Sequence, residues 1–137
     1  MTDTALAPIP VEQILLPADL DGSHGRNRAA GCVAQIAATN DLQAIHAWLA
    51  RFIETKTTFD NYRKEAERLL LWSTLQLGKP VSSLTHEDFL VYQQFLLDPQ
   101  PRDKWVAGGG RKHPRDDPRW RPFYGPLSTA SQRQAMI

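Results

Sequence analysis

Cysteine is nearly missing from this chain: Cys32 stands alone among 137 residues. One thiol cannot close an internal disulfide, and it cannot supply a multi-cysteine metal site. Histidine is sparse as well. His24, His46, His86 and His113 are scattered without ligand spacing, so no zinc site is expected. Long apolar runs are also missing. Nothing approaches the roughly 20 residues that span a bilayer, and the longest early cluster is Ile14-Leu15-Leu16. The first residues lack the basic-then-apolar layout of a secretory signal. The expectation is a cytoplasmic protein with no membrane partner and no cofactor. Catalytic patterning is thin too. Gly108-Gly109-Gly110 is not followed by the Gly-Lys-Ser/Thr of a phosphate loop. No convergent acid, base and nucleophile set is visible, so an independent enzyme is not expected.

Proline and positive charge are what the chain does have, and both are unevenly spread. Six of the 10 prolines and two of the four tryptophans fall in residues 98–127. The net charge is +1, but residues 1–39 carry −2, residues 40–97 carry −1 and residues 98–137 carry +4. A basic C-terminal third favours a polyanionic partner. Residues 1–39 mix Pro8, Pro10 and Pro17 with a turn at Asp21-Gly22-Ser23-His24-Gly25. They read as an arm or linker, with room for a short helix over about 28–38.

Residues 40–137 read as the structured domain. A first helix begins at Asn40 or Asp41, either of which can cap it. Leu42, Ile45, Trp48, Leu49, Phe52 and Ile53 give it one apolar face. A second helix is expected from Thr57 or Thr58. Phe59, Tyr62, Ala66, Leu69 and Leu70 face inward, and Asn61, Arg63, Lys64, Glu65, Glu67 and Arg68 mostly outward. Gly78 is a suitable stop and Pro80 prevents resumption. A third helix has Thr85 as cap and Asp88 three residues later, the layout of a capping box. Its inner face is Phe89, Tyr92, Phe95, Leu96 and Leu97, and Asp98-Pro99 ends it. Residues 98–127 form a long loop that Trp105 and Trp120 can anchor to the helices. A fourth helix opens at Ser128 and stops at Ala135-Met136-Ile137 as its apolar face begins, which points to a truncated last helix.

Four clusters are candidates for contact with an anion. Thr57, Thr58 and Asn61 sit at a helix start, where backbone N–H groups point outward, and capping alone also explains them. Arg63, Lys64 and Arg68 can reach phosphates or form an ordinary solvated face. The like-charged Lys64–Arg68 spacing mildly favours an external anion. Ser128, Thr129, Ser131, Gln132 and Arg133 combine hydroxyls with side chains able to read base edges, and a polar helix start with no partner also explains them. Arg111, Lys112, Arg115, Arg119 and Arg121 make a basic loop interleaved with Trp and Pro, suited to a nucleic-acid backbone, to docking a protein or to a merely solvated excursion.

The stretch Tyr62-Arg63-Lys64-Glu65-Ala66-Glu67-Arg68-Leu69-Leu70-Leu71-Trp72 resembles the second helix of the core-binding domain of tyrosine recombinases, the phage integrases. Further stretches agree in order and spacing: Asn40-Asp41-Leu42-Gln43-Ala44-Ile45 with Trp48-Leu49, then Gly78 through Asp88, then Trp120-Arg121-Pro122-Phe123-Tyr124-Gly125-Pro126-Leu127-Ser128. The likeness covers roughly residues 40–137. It implies an all-α, four-helix SAM-like orthogonal bundle, with an N-terminal arm and a long Pro/Trp/Arg-rich loop before the last helix. It implies a DNA-binding clamp domain that contacts double-stranded DNA during integration or recombination. The family's catalytic set lies in a separate downstream domain, so this chain is expected to be non-catalytic by itself. Its expected partners are that catalytic domain and other recombinase protomers. Tyr62, Tyr92 and Tyr124 are not expected to be nucleophiles. From a different class, the alternative is a helical protein-interaction module docking through its Trp/Pro loop.

Overall fold

A computed structural model describes residues 8–16, 20–23 and 40–124. The fold is all-α: four helices, with no strand or sheet among the described residues. Helix α1 spans Asp41–Leu49, α2 Lys56–Leu71, α3 His86–Leu97 and α4 Arg102–Trp105. The expected fourth helix from Ser128 lies outside the described residues. The chain falls into two compact units. One holds the described residues from Leu15 to Leu84, the other those up to Ile14 and from Thr85 onward.

In the first unit, Asn40 caps α1 as its residue type predicts. Its Oδ1 accepts the Gln43 backbone N–H at 2.9 Å. Asp41 is buried and acts as a clasp. Its backbone N–H donates to the Asp21 carbonyl at 2.6 Å, and its Oδ2 accepts the Ser82 N–H at 3.0 Å. Gly22 sits at φ 85°, and a Cβ there would run into the Asp41 carboxylate, so the clasp requires glycine. Trp48, Phe52 and Tyr62 tie α1 to α2. Trp48 stacks on Tyr62 at 5.1 Å between ring centroids, and Phe52 meets Tyr62 edge-on at 4.8 Å.

Helix α2 begins at Lys56, two residues before the later of the two expected caps, with Thr55 at its N-cap. Thr55 makes no side-chain capping bond, and without one no sequence signature marks the start. Beyond Leu71 the helix widens into a π-helical segment, Trp72–Leu77. Ser73 and Thr74 are buried there and satisfied locally. Ser73 Oγ donates to the Lys79 carbonyl at 2.6 Å, and Thr74 Oγ1 to the Leu70 carbonyl at 2.8 Å. Gly78 ends the segment in a left-handed conformation, φ 75° and ψ 27°, as expected.

In the second unit, α3 starts with the expected capping box. The Asp88 N–H donates to Thr85 Oγ1 at 3.2 Å, and the Thr85 N–H donates to Asp88 Oδ2 at 2.9 Å. Tyr92, Phe95 and Leu96 are buried. Phe95 holds the following segment by edge-on contacts to Trp105 at 5.2 Å and Phe123 at 5.7 Å. Two backbone hydrogen bonds join the ends of that segment. Ala107 N–H donates to the Phe123 carbonyl at 2.8 Å, and Phe123 N–H to the Trp105 carbonyl at 3.2 Å. Trp105 and Trp120 are both buried, as expected of anchors. The short α4 lies inside what reads from sequence as loop.

Residues 8–14 belong to this second unit, although the sequence places them in an arm or linker. Pro8, Pro10, Val11 and Ile14 are buried. The Glu12 carboxylate receives Arg115 in a two-pronged pair, Nε to Oε2 at 2.7 Å and Nη2 to Oε1 at 2.5 Å.

Four expectations about faces are corrected. Ile53 is 71% exposed and Leu97 48% exposed, so neither joins the core. Both lie at the ends of their apolar stripes, where a helical face no longer points at its neighbours. Glu67 and Arg68, read as outward, are buried.

Candidate nucleic-acid interface

The α2 residues named from sequence separate into three groups. Thr57 is exposed, and Thr58 and Asn61 are half-buried in the first turns. They follow an N-cap that offers no side chain to the helix N-terminus. Arg63 is half-buried and already occupied. Its guanidinium lies 3.5 Å from Asp60 Oδ1 and 5.6 Å from the Phe59 ring centroid, while its Nε has no hydrogen-bond partner among the described residues. Lys56 makes a second pair with Asp60, at 3.2 Å.

Arg68 is 4% exposed, and its Nη1 stands 3.9 Å from Glu65 Oε1. Burial removes it from the surface that could meet a phosphate. Glu65 is pushed above its usual value of 4.5 because burial outweighs the attraction of Arg68 and Lys64. The distance agrees with that order, since 3.9 Å is an ion pair and not a hydrogen bond. The Lys64–Arg68 repulsion expected from spacing is thus relieved by an internal carboxylate. Lys64 is half-buried and forms no ion pair among the described residues.

The loop residues divide in the same way. Arg119 is 73% exposed on its side chain but is gripped by Asp117, with Nε to Oδ1 at 3.1 Å and Nη2 to Oδ2 at 2.9 Å. Those hydrogen bonds hold the Asp117 carboxyl well below its usual range and raise Arg119. Arg121 turns back on its own chain, donating from Nη1 to the Trp120 carbonyl at 2.8 Å and the Pro118 carbonyl at 3.3 Å. Arg115 is held by Glu12 and lies 5.4 Å over the Trp120 ring. Arg111 and Lys112 remain exposed with no ion pair among the described residues. Ser128, Thr129, Ser131, Gln132 and Arg133 lie outside the described residues.

Arg102 and Lys104 on α4 are basic residues the sequence reading passed over. Arg102 is exposed, and Lys104 sits 5.5 Å over the Trp105 ring. The signal that could have found them is the proline at 101, which opens a helical turn at Arg102. Among the described residues no group of His, Cys, Asp and Glu could hold a metal ion. No helix among them is long and apolar enough to cross a membrane.

Comparison with protein-family models, with curated proteins and with solved structures gives no match for this chain.

Proposed function

We propose that this chain is a double-stranded DNA-binding module of the tyrosine recombinase core-binding kind, gripping duplex DNA for integration or recombination without cleaving it by itself. The observation that carries the reading is the set of cations left over after internal pairing. Lys64, Arg111 and Lys112 form no ion pair among the described residues, while Arg63, Arg68 and Arg119 each have a carboxylate partner. Thr57 and Asn61 add polar side chains at the start of α2. The order and spacing of the sequence stretches that resemble the family, and the all-α fold, support the same reading. The partners it implies are duplex DNA, a catalytic domain and further recombinase protomers.

The alternative, a protein-docking module acting through a Trp/Pro loop, is weakened. Trp105 and Trp120, the side chains that would anchor a partner, are already buried.

Fluorescence anisotropy with labelled duplex across a salt series tests the proposal. The expected result is affinity that falls steeply with salt. Joint replacement of Arg111 and Lys112 by Ala should reduce the slope of log affinity against log salt by about two, since each phosphate contact contributes about 0.9. Affinity indifferent to salt, or no binding at low salt, would reject it.

A further inference from the structure

Residues 102–112 carry Arg102, Lys104, Arg111 and Lys112 against one acid, Asp103, a net +3. They also form a shallow groove of about 430 Å³, lined by Arg102, Asp103, Val106, Ala107, Gly108 and Gly109. Its floor is fixed. Val106 and Ala107 are buried, with Val106 N–H bonded to the Arg102 carbonyl at 2.8 Å and Ala107 N–H to the Phe123 carbonyl at 2.8 Å.

One wall is bare backbone. A Cβ at Gly108 would meet nothing within 4 Å, and one at Gly109 would meet only Arg111 Cγ at 4.0 Å. No side chain therefore blocks a ligand from approaching the main chain. Gly109 is left-handed at φ 69°, whereas Gly108 is not. A left-handed residue beside a right-handed one is a backbone geometry that can gather N–H groups into a concavity for anionic oxygens. Arg102 and Asp103 line the groove together with this wall, and Arg111 and Lys112 follow it in the chain.

We infer that this groove seats the phosphodiester backbone of duplex DNA, with Arg102 as a phosphate contact alongside Arg111 and Lys112. The inference rests on the DNA-binding reading above and deepens it. The shape and charge select the partner. Arg102 lines an open groove and Arg111 and Lys112 are exposed just beyond it in the chain, which suits a polymer of regularly spaced charges better than a compact anion. The aromatic side chains Trp105, Trp120 and Phe123 are buried, so the segment lacks the stacking platform that a single strand uses.

The test is anisotropy with a duplex and with a single strand of the same sequence, on the full chain, across a salt series. Arg102 is exposed, so Arg102→Ala should leave the helical circular dichroism intact. It should lower the salt slope for duplex by about one and weaken binding several-fold. Arg102→Lys should retain the slope. Asp103→Asn should tighten binding, a gain that no structural role of Asp103 predicts. If the parent chain binds duplex steeply with salt but Arg102→Ala and Asp103→Asn leave both slope and affinity unchanged, the groove assignment fails and the broader reading stands. If the parent binds no duplex, both fail. Tighter binding of the single strand would overturn the duplex assignment.

Discussion

Helix α2 and the segment 102–124 both look basic in sequence, but they handle their charge in opposite ways. The helix carries four basic and three acidic side chains, and its regular geometry sets them three or four residues apart. Asp60 therefore meets both Lys56 and Arg63, and Glu65 meets Arg68. Lys64 alone is left over. The segment carries seven basic and three acidic side chains without a repeating geometry to match them. Asp117 and the distant Glu12 take one arginine each, and Arg102, Arg111 and Lys112 remain exposed. A helix tends to neutralise its own charge; an irregular segment shows its net charge to a partner.

That contrast is broken most directly by removing what holds the irregular segment. Trp105 is fully buried against Phe95. Trp105→Ala should cost about 3–5 kcal/mol, read in a urea melt, and should make residues 98–124 sensitive to protease. Resistance to protease in that variant would mean that the segment is held by something other than its aromatic contacts.

The two helix starts offer a finer comparison. Thr85 makes both bonds of its capping box, and Thr55 makes none through its side chain. Thr85→Ala should cost about 1 kcal/mol, whereas Thr55→Ala should stay within about 0.5 kcal/mol of the parent. Equal losses would show that Thr55 caps α2 in solution.

The smallest effect concerns pH. The folded Glu65 carboxyl lies above 4.5. The stability linked to its proton is fully present below that value and is lost as pH rises through the folded value. Glu65→Gln should remove this component, giving a flatter stability profile just above pH 4.5 and a higher melting temperature at neutral pH. A profile that overlays the parent would mean that Arg68 compensates for the burial of Glu65.

Much of the fold was legible because local rules decide it. Asn40, Gly78 and the Thr85–Asp88 pair each act through bonds to residues a few positions away. Periodicity located the apolar stripes, but it could not say how far along each helix the covering neighbours extend, and so missed exposed Ile53 and Leu97. The same limit hid the burial of Glu67 and Arg68, since a charged pair looks solvated until tertiary packing encloses it. Helix α4 is too short to have a period. In the candidate site, the pairing of Arg63 with Asp60 and of Arg119 with Asp117 was available from spacing. The pairing of Arg115 with Glu12 spans 103 residues and no local pattern announces it.

The tryptophans that hold these units also label them. Trp48 and Trp72 belong to one unit and Trp105 and Trp120 to the other, so each carries its own intrinsic fluorophores. Trp120 lies beneath the Arg115 guanidinium that Glu12 fixes. Its surroundings, and with them its share of the intrinsic fluorescence, therefore depend on whether residues 8–14 are in place.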